Sequence, residues 1–306
     1  MKFCISLPHG TEVQALTQEW EKGVGGAEIA RAVRLADELG FQSVMLGEHF
    51  VIPAGHVGLS GDHYLQATTA LGFVAGCTQR IKLATSVTIL PLQHPIVHAK
   101  MWATLDWLSG GRAIMSVGVG WLEEEYDLLG VPFRQRGALC DEYLAAIHEL
   151  WTSDSPTFDG KYVKFKDVGQ RPKPVQKPRI PIWFGGEADP VLKRVAKWGD
   201  GWSPFTTPPE KFPERLDFIR SQPDYHGRPI ALQFALSRLG LGDGHVKLNN
   251  PKSVGSQDAQ YVLDQIGWLA GLGVTEVRLA VPPFTAFEAY LDWLRWTAEE
   301  IFPKAP

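Results

Sequence analysis

The sequence predicts an α/β protein, a closed (β/α)8 barrel of the TIM type with loop insertions, in a single domain over residues 1–306. Short β-branched runs alternate with helical segments, which implies parallel strands with helices outside them. The alternation repeats about eight times, which suits a closed barrel better than the alternative, an open doubly wound sheet of around seven strands. Polar and glycine-rich clusters follow the strands, where loops would form the C-terminal rim of a barrel. No internal repeat or low-complexity tract competes with this pattern.

Lys2 to Leu7 is the first strand. Glu28 to Leu39 is a helix, with Ile29, Val33 and Ala36 near one face and Gly40 as its stop. Gln42 to Leu46 is the second strand and Tyr64 to Cys77 a helix. Ile81 to Leu90 is a strand long for a barrel; a bulge or strained peptide near its end would push backbone toward the mouth. Val97 to Leu108 is a helix closed by Gly110-Gly111, and Ala113 to Val119 a strand. Ala138 to Trp151 is an amphipathic helix through Leu139, Tyr143, Ala146, Ile147 and Leu150. The Pro- and Lys-rich stretch Thr157 to Lys177 carries a small hairpin at Phe158 to Tyr162. Pro181 to Phe184 is a strand. Val191 to Trp198 is a helix with Asp189 at its N-cap and Pro190 at the first helical position. Gly201 to Ser203 is a short strand and Pro209 to Arg220 a short helix. Pro229 to Ser237 is a strand, followed by a Gly/Asn-rich loop to Ser256. Gln257 to Leu269 is a helix, Glu276 to Val281 a strand, and Phe287 to Ile301 the closing helix.

Composition narrows the class. The 30 Lys+Arg against 34 Asp+Glu leave a formal charge of −4, no electrostatic reason to expect a nucleic-acid partner. Cys4, Cys77 and Cys140 are widely spaced and form no C-x-x-C, so a reducing cytosol is the default. Met1 to Ile5 reads at once as strand, without signal-peptide anatomy. No apolar run reaches the roughly 18 residues a spanning helix needs. A soluble cytoplasmic protein with no membrane partner is the expectation.

On the rim, Glu48 and His49 follow the apolar run Ser43 to Leu46. An imidazole there can donate or accept a proton near neutral pH, or simply hydrogen-bond a rim loop. His56, Asp62 and His63 lie near His49 in sequence, but their spacing fits no metal pattern, and no metal is expected. Gly118-Val119-Gly120 has G-x-G, yet the third glycine of a dinucleotide loop would fall at Glu123, so that fingerprint fails. What survives is a strand exit that a flat ligand can approach closely, or a tight turn. Gly185-Gly186 run from a strand into a helix start, an arrangement that suits a phosphate. Glu187 and Asp189 count against it, and a plain βα turn is the alternative. Trp121, Trp183 and Trp202 fall at rim positions where they can wall an aromatic pocket. Glu123-Glu124-Glu125 reads as a solvated face. Arg134 and Arg136 are expected to pair with acids such as Asp141 or Glu142. No G-x-S-x-G elbow supports serine nucleophile chemistry.

Leu105-Asp106-Trp107-Leu108-Ser109-Gly110-Gly111-Arg112, running into Gly118-Val119-Gly120-Trp121 and Glu123-Glu124-Glu125-Tyr126, resembles the bacterial luciferase-like monooxygenase family. The resemblance extends through Leu83 to Val87, Leu90 to Pro95, Arg171 to Gln176, Pro181 to Gly186 and Gly199 to Trp202, most of residues 1 to about 205. It is nearest to the subgroup of coenzyme F420-dependent oxidoreductases. It implies a (β/α)8 barrel, often a homodimer, with a flavin-type cofactor in the mouth: coenzyme F420, or FMN as the alternative. By motif match, a cis peptide at Ser86-Val87 would back the cofactor ring. Gly118, Val119 and Gly120 would lie beside its tail, and Gly185 and Gly186 would form the phosphate turn. Val119 stands where luciferase carries an arginine near the phosphate. His49, with Glu48 where Asp is common, matches a catalytic acid–His pair near the reactive ring. The implied reaction is hydride transfer between reduced F420 and a small organic substrate; the alternative is a two-component FMN monooxygenase inserting one oxygen atom from O2. A flavin or F420 reductase would supply the reduced cofactor. A non-catalytic cofactor-binding barrel paired with a partner subunit is a further alternative.

Overall fold

Strand pairing runs in sequence order around a closed ring. In the computed structural model, which describes residues 1–13, 16–236, 239–242, 245–248 and 256–306 (239–242 and 245–248 by backbone alone), eight parallel strands form the barrel. They are β1 (Lys2–Ser6), β2 (Ser43–Leu46), β3 (Lys82–Thr85), β4 (Ala113–Gly118), β5 (Ile182–Gly185), β6 (Gly201–Ser203), β7 (Ala231–Ala235) and β8 (Glu276–Arg278). Closure comes from β8 pairing with β1, Lys2 opposite Glu276 and Cys4 opposite Arg278.

Helices lie outside: α1 (Gly26–Leu39), α2 (Ala54–Ser60), α3 (Ala67–Cys77), α4 (Pro95–Leu108), α5 (Glu123–Leu128), α6 (Arg136–Thr152), α7 (Asp189–Trp198), α8 (Phe212–Arg220), α9 (Ala259–Gly271) and α10 (Phe287–Trp296). The face of α1 expected to be buried is buried, and Gly40 ends the helix at φ +91°, where a β-carbon would be strained. Outward strand residues such as Val44, Leu83, Phe184 and Trp202 pack with the helices in one core. Cys4, Met45, Ala84, Ile114 and Trp183 form a separate cluster inside the barrel. Side chains alternate along a strand, so the next inward positions toward the rim are Ser6, Gly47, Ser86, Ser116, Gly185, Ser203 and Gln233. A bulky floor thus carries small residues above it on six strands, with Gln233, hydrogen-bonded to the Ser203 hydroxyl, as the long one.

The most specific motif sits at the opposite end. Arg112, just before β4, donates to Ser109 O, Ala75 O, Thr78 O, Ile81 O and Thr78 Oγ1 at 2.8 to 3.1 Å. Buried Asp106 accepts the Val175 and Gln176 N–H groups and the Gln176 amide. Leu105 to Arg112 and Arg171 to Gln176 are therefore bound to each other beneath the barrel.

Several expectations change. The long third strand is two pieces: β3 ends at Thr85, and Thr88–Ile89 pairs separately with β4. Between them the Ser86–Val87 peptide is cis. The N-cap of α7 is Ala188, without a side-chain cap; Asp189 is already helical. Glu123 to Leu128 is the helix α5, and α2 was not legible as a helix at all. The hairpin after α6 pairs Phe158–Asp159 with Lys164–Phe165. In the Gly/Asn-rich segment, Leu239–Gly242 and His245–Leu248 form an antiparallel pair; the rest of that loop, and Ser237 at the end of the expected strand, lie outside the described residues. The cysteines are free thiols, and no helix among the described residues is long and apolar enough to cross a membrane.

Candidate active site

The break in β3 organises the mouth. The Ser86 N–H donates to Leu46 O at 2.7 Å, the Thr85 hydroxyl to Ser116 O at 2.9 Å, and the Thr88 hydroxyl to Thr85 Oγ1 at 3.0 Å. These bonds present the Val87 side chain to the ends of β4 and β5. A β-carbon at Gly118 would lie 2.5 Å from Val87 Cγ2, and one at Gly185 2.5 Å from Val87 Cγ1. Both glycines are therefore required by Val87. At Gly120, φ is +68° and a β-carbon would meet Ile89 Cγ2 at 2.7 Å. The buried Tyr126 hydroxyl donates to Val119 O.

Glu48 and His49 leave β2 side by side and diverge. The buried Glu48 carboxylate accepts the Ile89 N–H at 3.1 Å, tying β2 to the segment beyond Val87. Burial pushes its pKa up to about 7, against one N–H that pulls it down; the charge of Glu125 pushes it further up. His49 Nδ1 lies 2.7 Å from Glu125 Oε2. The other oxygen of Glu125 accepts the Phe50 N–H at 2.7 Å and the Val51 N–H at 3.3 Å. Tyr64 meets the His49 ring edge-on at 4.9 Å, and Trp121 does so at 6.1 Å. The Tyr64 hydroxyl donates to Ser60 O, and burial, with Glu125, pushes its pKa up to about 12.

Glu125 was missed because the three glutamates were read as one solvated face. Yet its side chain is 1% exposed. In a helix three consecutive residues cannot share a face, and Glu125 lies three residues after buried Leu122, on its side of α5. That spacing was the available signal.

On the far side of Val87, the Trp202 indole donates to Gly186 O at 2.8 Å and fixes the β5 turn. Gly186 has φ +113°. Of the two objections to an anion site here, the cap falls away while the Glu187 charge stays, turned aside. Glu187 points to the next loop, accepting the Phe205 and Thr206 N–H groups, and Asp189 pairs with Arg215 at 3.1 Å. The first turn of α7 has no side-chain cap, but Pro190 brings no N–H and the Val191 and Leu192 N–H groups donate to Ala188 O, which leaves the Asp189 N–H beside the Gly185–Gly186 turn.

Other rim expectations are corrected. Of the three tryptophans, Trp121 alone stands at the mouth, 44% exposed; Trp183 is buried in the floor under Gly201, and Trp202 packs its ring among the helices. Arg136 lies over the Phe133 ring at 3.8 Å, while Asp141 pairs with Arg194 and Glu142 accepts the N–H groups of residues 161–163. His63 stacks on His9 at 4.2 Å, away from the His49–Glu125 pair.

The fold is a (β/α)8 barrel with glycines and a His–Glu pair at its mouth, and comparison with known proteins gives the family. The pattern of the luciferase-like monooxygenase family matches residues 1–239, and the chain belongs to that family. An uncharacterized protein of Mycobacterium tuberculosis is 35% identical over 279 residues, 86% of this chain and 90% of its own. The F420-dependent glucose-6-phosphate dehydrogenase of Amycolatopsis mediterranei is 34% identical over 175 residues, 56% of this chain and 50% of its own. The FMNH2-dependent dimethylsulfone monooxygenase of Pseudomonas putida is 24% identical over 205 residues, 66% of this chain and 55% of its own. The protein is thus an enzyme of a family whose members are F420- or FMN-dependent oxidoreductases and monooxygenases.

Proposed function

We propose that this enzyme transfers hydride between coenzyme F420 and a small organic substrate held in the barrel mouth. The observation that carries the proposal is the layer of small inward residues, Ser6, Gly47, Ser86, Gly185 and Ser203, opening beside the His49–Glu125 pair. A flat tricyclic coenzyme needs such a space; Gln233, the long side chain of that layer, is drawn to the Ser203 hydroxyl, and Val87 covers Gly185. Ser86 and Val87 would back the ring. The Gly185–Gly186 turn, with the uncapped start of α7, would hold the phosphate. Val119 offers its carbonyl to Tyr126 and brings no cation to the exit of β4, which favours F420 over FMN. When bound, the reduced coenzyme supplies a hydride equivalent.

The chain's own residues manage the proton. Glu125, acceptor at Nδ1, fixes that nitrogen as the donor and leaves Nε2 of His49 to hold or release a proton. The two backbone donors on Glu125 fix its carboxylate and so keep the ring oriented. Glu48 holds the Ser86–Ile89 segment in place and adds a second acid that titrates near neutrality. FMN-dependent oxygen insertion is the alternative, supported by the Pseudomonas relative.

Fluorescence titration of the purified protein with F420 and with FMN tests the reading. Micromolar 1:1 binding of F420, tighter than that of FMN, is expected. Tighter FMN binding with oxygen consumption would favour the alternative, and binding of neither would overturn both.

A further inference from the structure

A cavity of about 310 Å³ opens at the rim where β1, β7 and β8 meet. It lies across the ring from β4, hence away from Gly118 and the turns that would hold a coenzyme tail. Arg278, the last residue of β8, lines it. Register places Arg278 opposite Cys4 on one side and Ala235 on the other, and Cys4 faces the barrel interior. Arg278 therefore points inward, one layer above Glu276, with only small residues beside it.

Of the other polar groups of this cavity, Gln18 and Glu21 are engaged with backbone and indole donors, and Glu21, its one acid, forms no ion pair with Arg278. Gln18 donates to Pro282 O at 2.8 Å and accepts from the Phe284 N–H and the Trp20 indole. Glu21 accepts the Gln18 N–H at 2.9 Å and the His9 N–H at 3.3 Å. The Arg278 guanidinium makes no hydrogen bond or ion pair among the described residues, and it is the one cation among the cavity's lining residues. A half-buried guanidinium without a counter-charge is costly, and burial pulls its pKa down from the ordinary value. Its five fixed N–H donors match a planar oxyanion in two-point fashion. A single cation balances a monoanion; a phosphate dianion would call for a second one.

We propose that Arg278 is the substrate anchor, and that the enzyme takes small organic acids whose carboxylate pairs with this guanidinium. The assignment rests on the oxidoreductase reading above, because it places the remainder of the acid in the same mouth as His49. The carboxylate sits on Arg278, and the carbon that exchanges hydride lies toward the barrel axis.

Calorimetric titration of wild-type protein and of the Arg278→Lys and Arg278→Gln variants tests it, with benzoate, benzamide and inorganic phosphate as probes, with and without coenzyme. Benzoate is expected to bind wild type at least about tenfold more tightly than benzamide, and more tightly than phosphate. Arg278→Gln should weaken benzoate by about tenfold or more, Arg278→Lys by less, and neither should alter F420 or FMN affinity. The wild-type contrast between benzoate and benzamide holds whether or not a variant folds. Equal binding of the two, no benzoate binding, an unchanged Arg278→Gln, or phosphate binding more tightly would each overturn the proposal. Loss of coenzyme affinity in Arg278→Gln would assign the residue to the coenzyme and overturn it as well. Wild-type protein that binds benzoate through Arg278 but neither coenzyme would instead overturn the functional reading.

Discussion

His49 Nδ1 and Glu125 Oε2 are 2.7 Å apart, joining the exit of β2 to the first turn of α5. The carboxylate is almost fully enclosed and serves three donors, the ring and two backbone N–H groups. Glu125→Gln keeps an acceptor but loses the charge that orients and stabilises the imidazole. A fall in kcat of about 10²-fold or more is expected, with coenzyme affinity unchanged. Glu125→Ala should in addition cost about 1–3 kcal/mol, because the Phe50 and Val51 N–H groups lose their acceptor. Steady-state kinetics and urea unfolding check both; a Glu125→Gln enzyme with wild-type kcat would remove the residue from the mechanism.

His49→Ala should depress turnover far more than it weakens coenzyme binding, since it removes the group that handles the proton. Kinetics and fluorescence titration on the same preparation separate the two effects. Equal losses would mean that His49 binds rather than reacts.

Glu48 gives the fold a pH dependence of defined sign. Its pKa rises from an ordinary 4.5 in the unfolded chain to about 7 in the folded protein, chiefly through burial. Between those values the folded state holds a proton that the unfolded state has lost. This contribution to stability is full below pH 4.5 and is lost as pH rises toward 7, about 3 kcal/mol in all. Glu48→Gln, still able to accept the Ile89 N–H, should lack that decline. Urea midpoints of the two proteins from pH 4.5 to 7.5 should converge toward the acid end, and parallel curves would refute the assignment.

Gly185→Ala places a methyl group 2.5 Å from Val87 Cγ1. A loss of about 1–3 kcal/mol is expected, recovered in large part by Val87→Ala in the same chain. A double-mutant cycle of unfolding free energies measures the coupling. Additive losses would show that the glycine answers to something other than Val87.

Arg112→Ala should destabilise the protein by more than 3 kcal/mol, since Ala75, Thr78, Ile81 and Ser109 all lose a buried donor, while the coenzyme affinity of the remaining folded protein is unchanged. Thermal unfolding and coenzyme titration report the two separately.

The barrel was legible because burial follows the strand period and the helix stripe directly: Val44 and Leu83 face the helices, and Ile29, Val33 and Ala36 face the core. The motif that pointed most strongly to the family, Leu105 to Arg112, turns out to hold the base of the barrel. Its residues are constrained by buried hydrogen bonds, and they say nothing about the mouth. Gly118 reads in sequence as an exit open to a flat ligand and Gly185 as part of a phosphate turn, whereas the group that packs against both is Val87, a contact between segments that no local pattern encodes. For Glu125 the spacing from Leu122 could have shown its burial, but not its partner His49, 76 residues away. Arg278 was hidden inside an expected strand, Glu276 to Val281, where alternation alone does not tell the inward face from the outward one.

A crystal structure of the wild-type protein with F420, and in parallel with FMN, tests the central claim most directly. The account predicts the coenzyme ring against Ser86–Val87 in the barrel mouth, its phosphate at Gly185–Gly186, and His49 within hydrogen-bond reach of the reacting region. A coenzyme bound outside the mouth, or a mouth left without one at saturating concentrations of both, would contradict it.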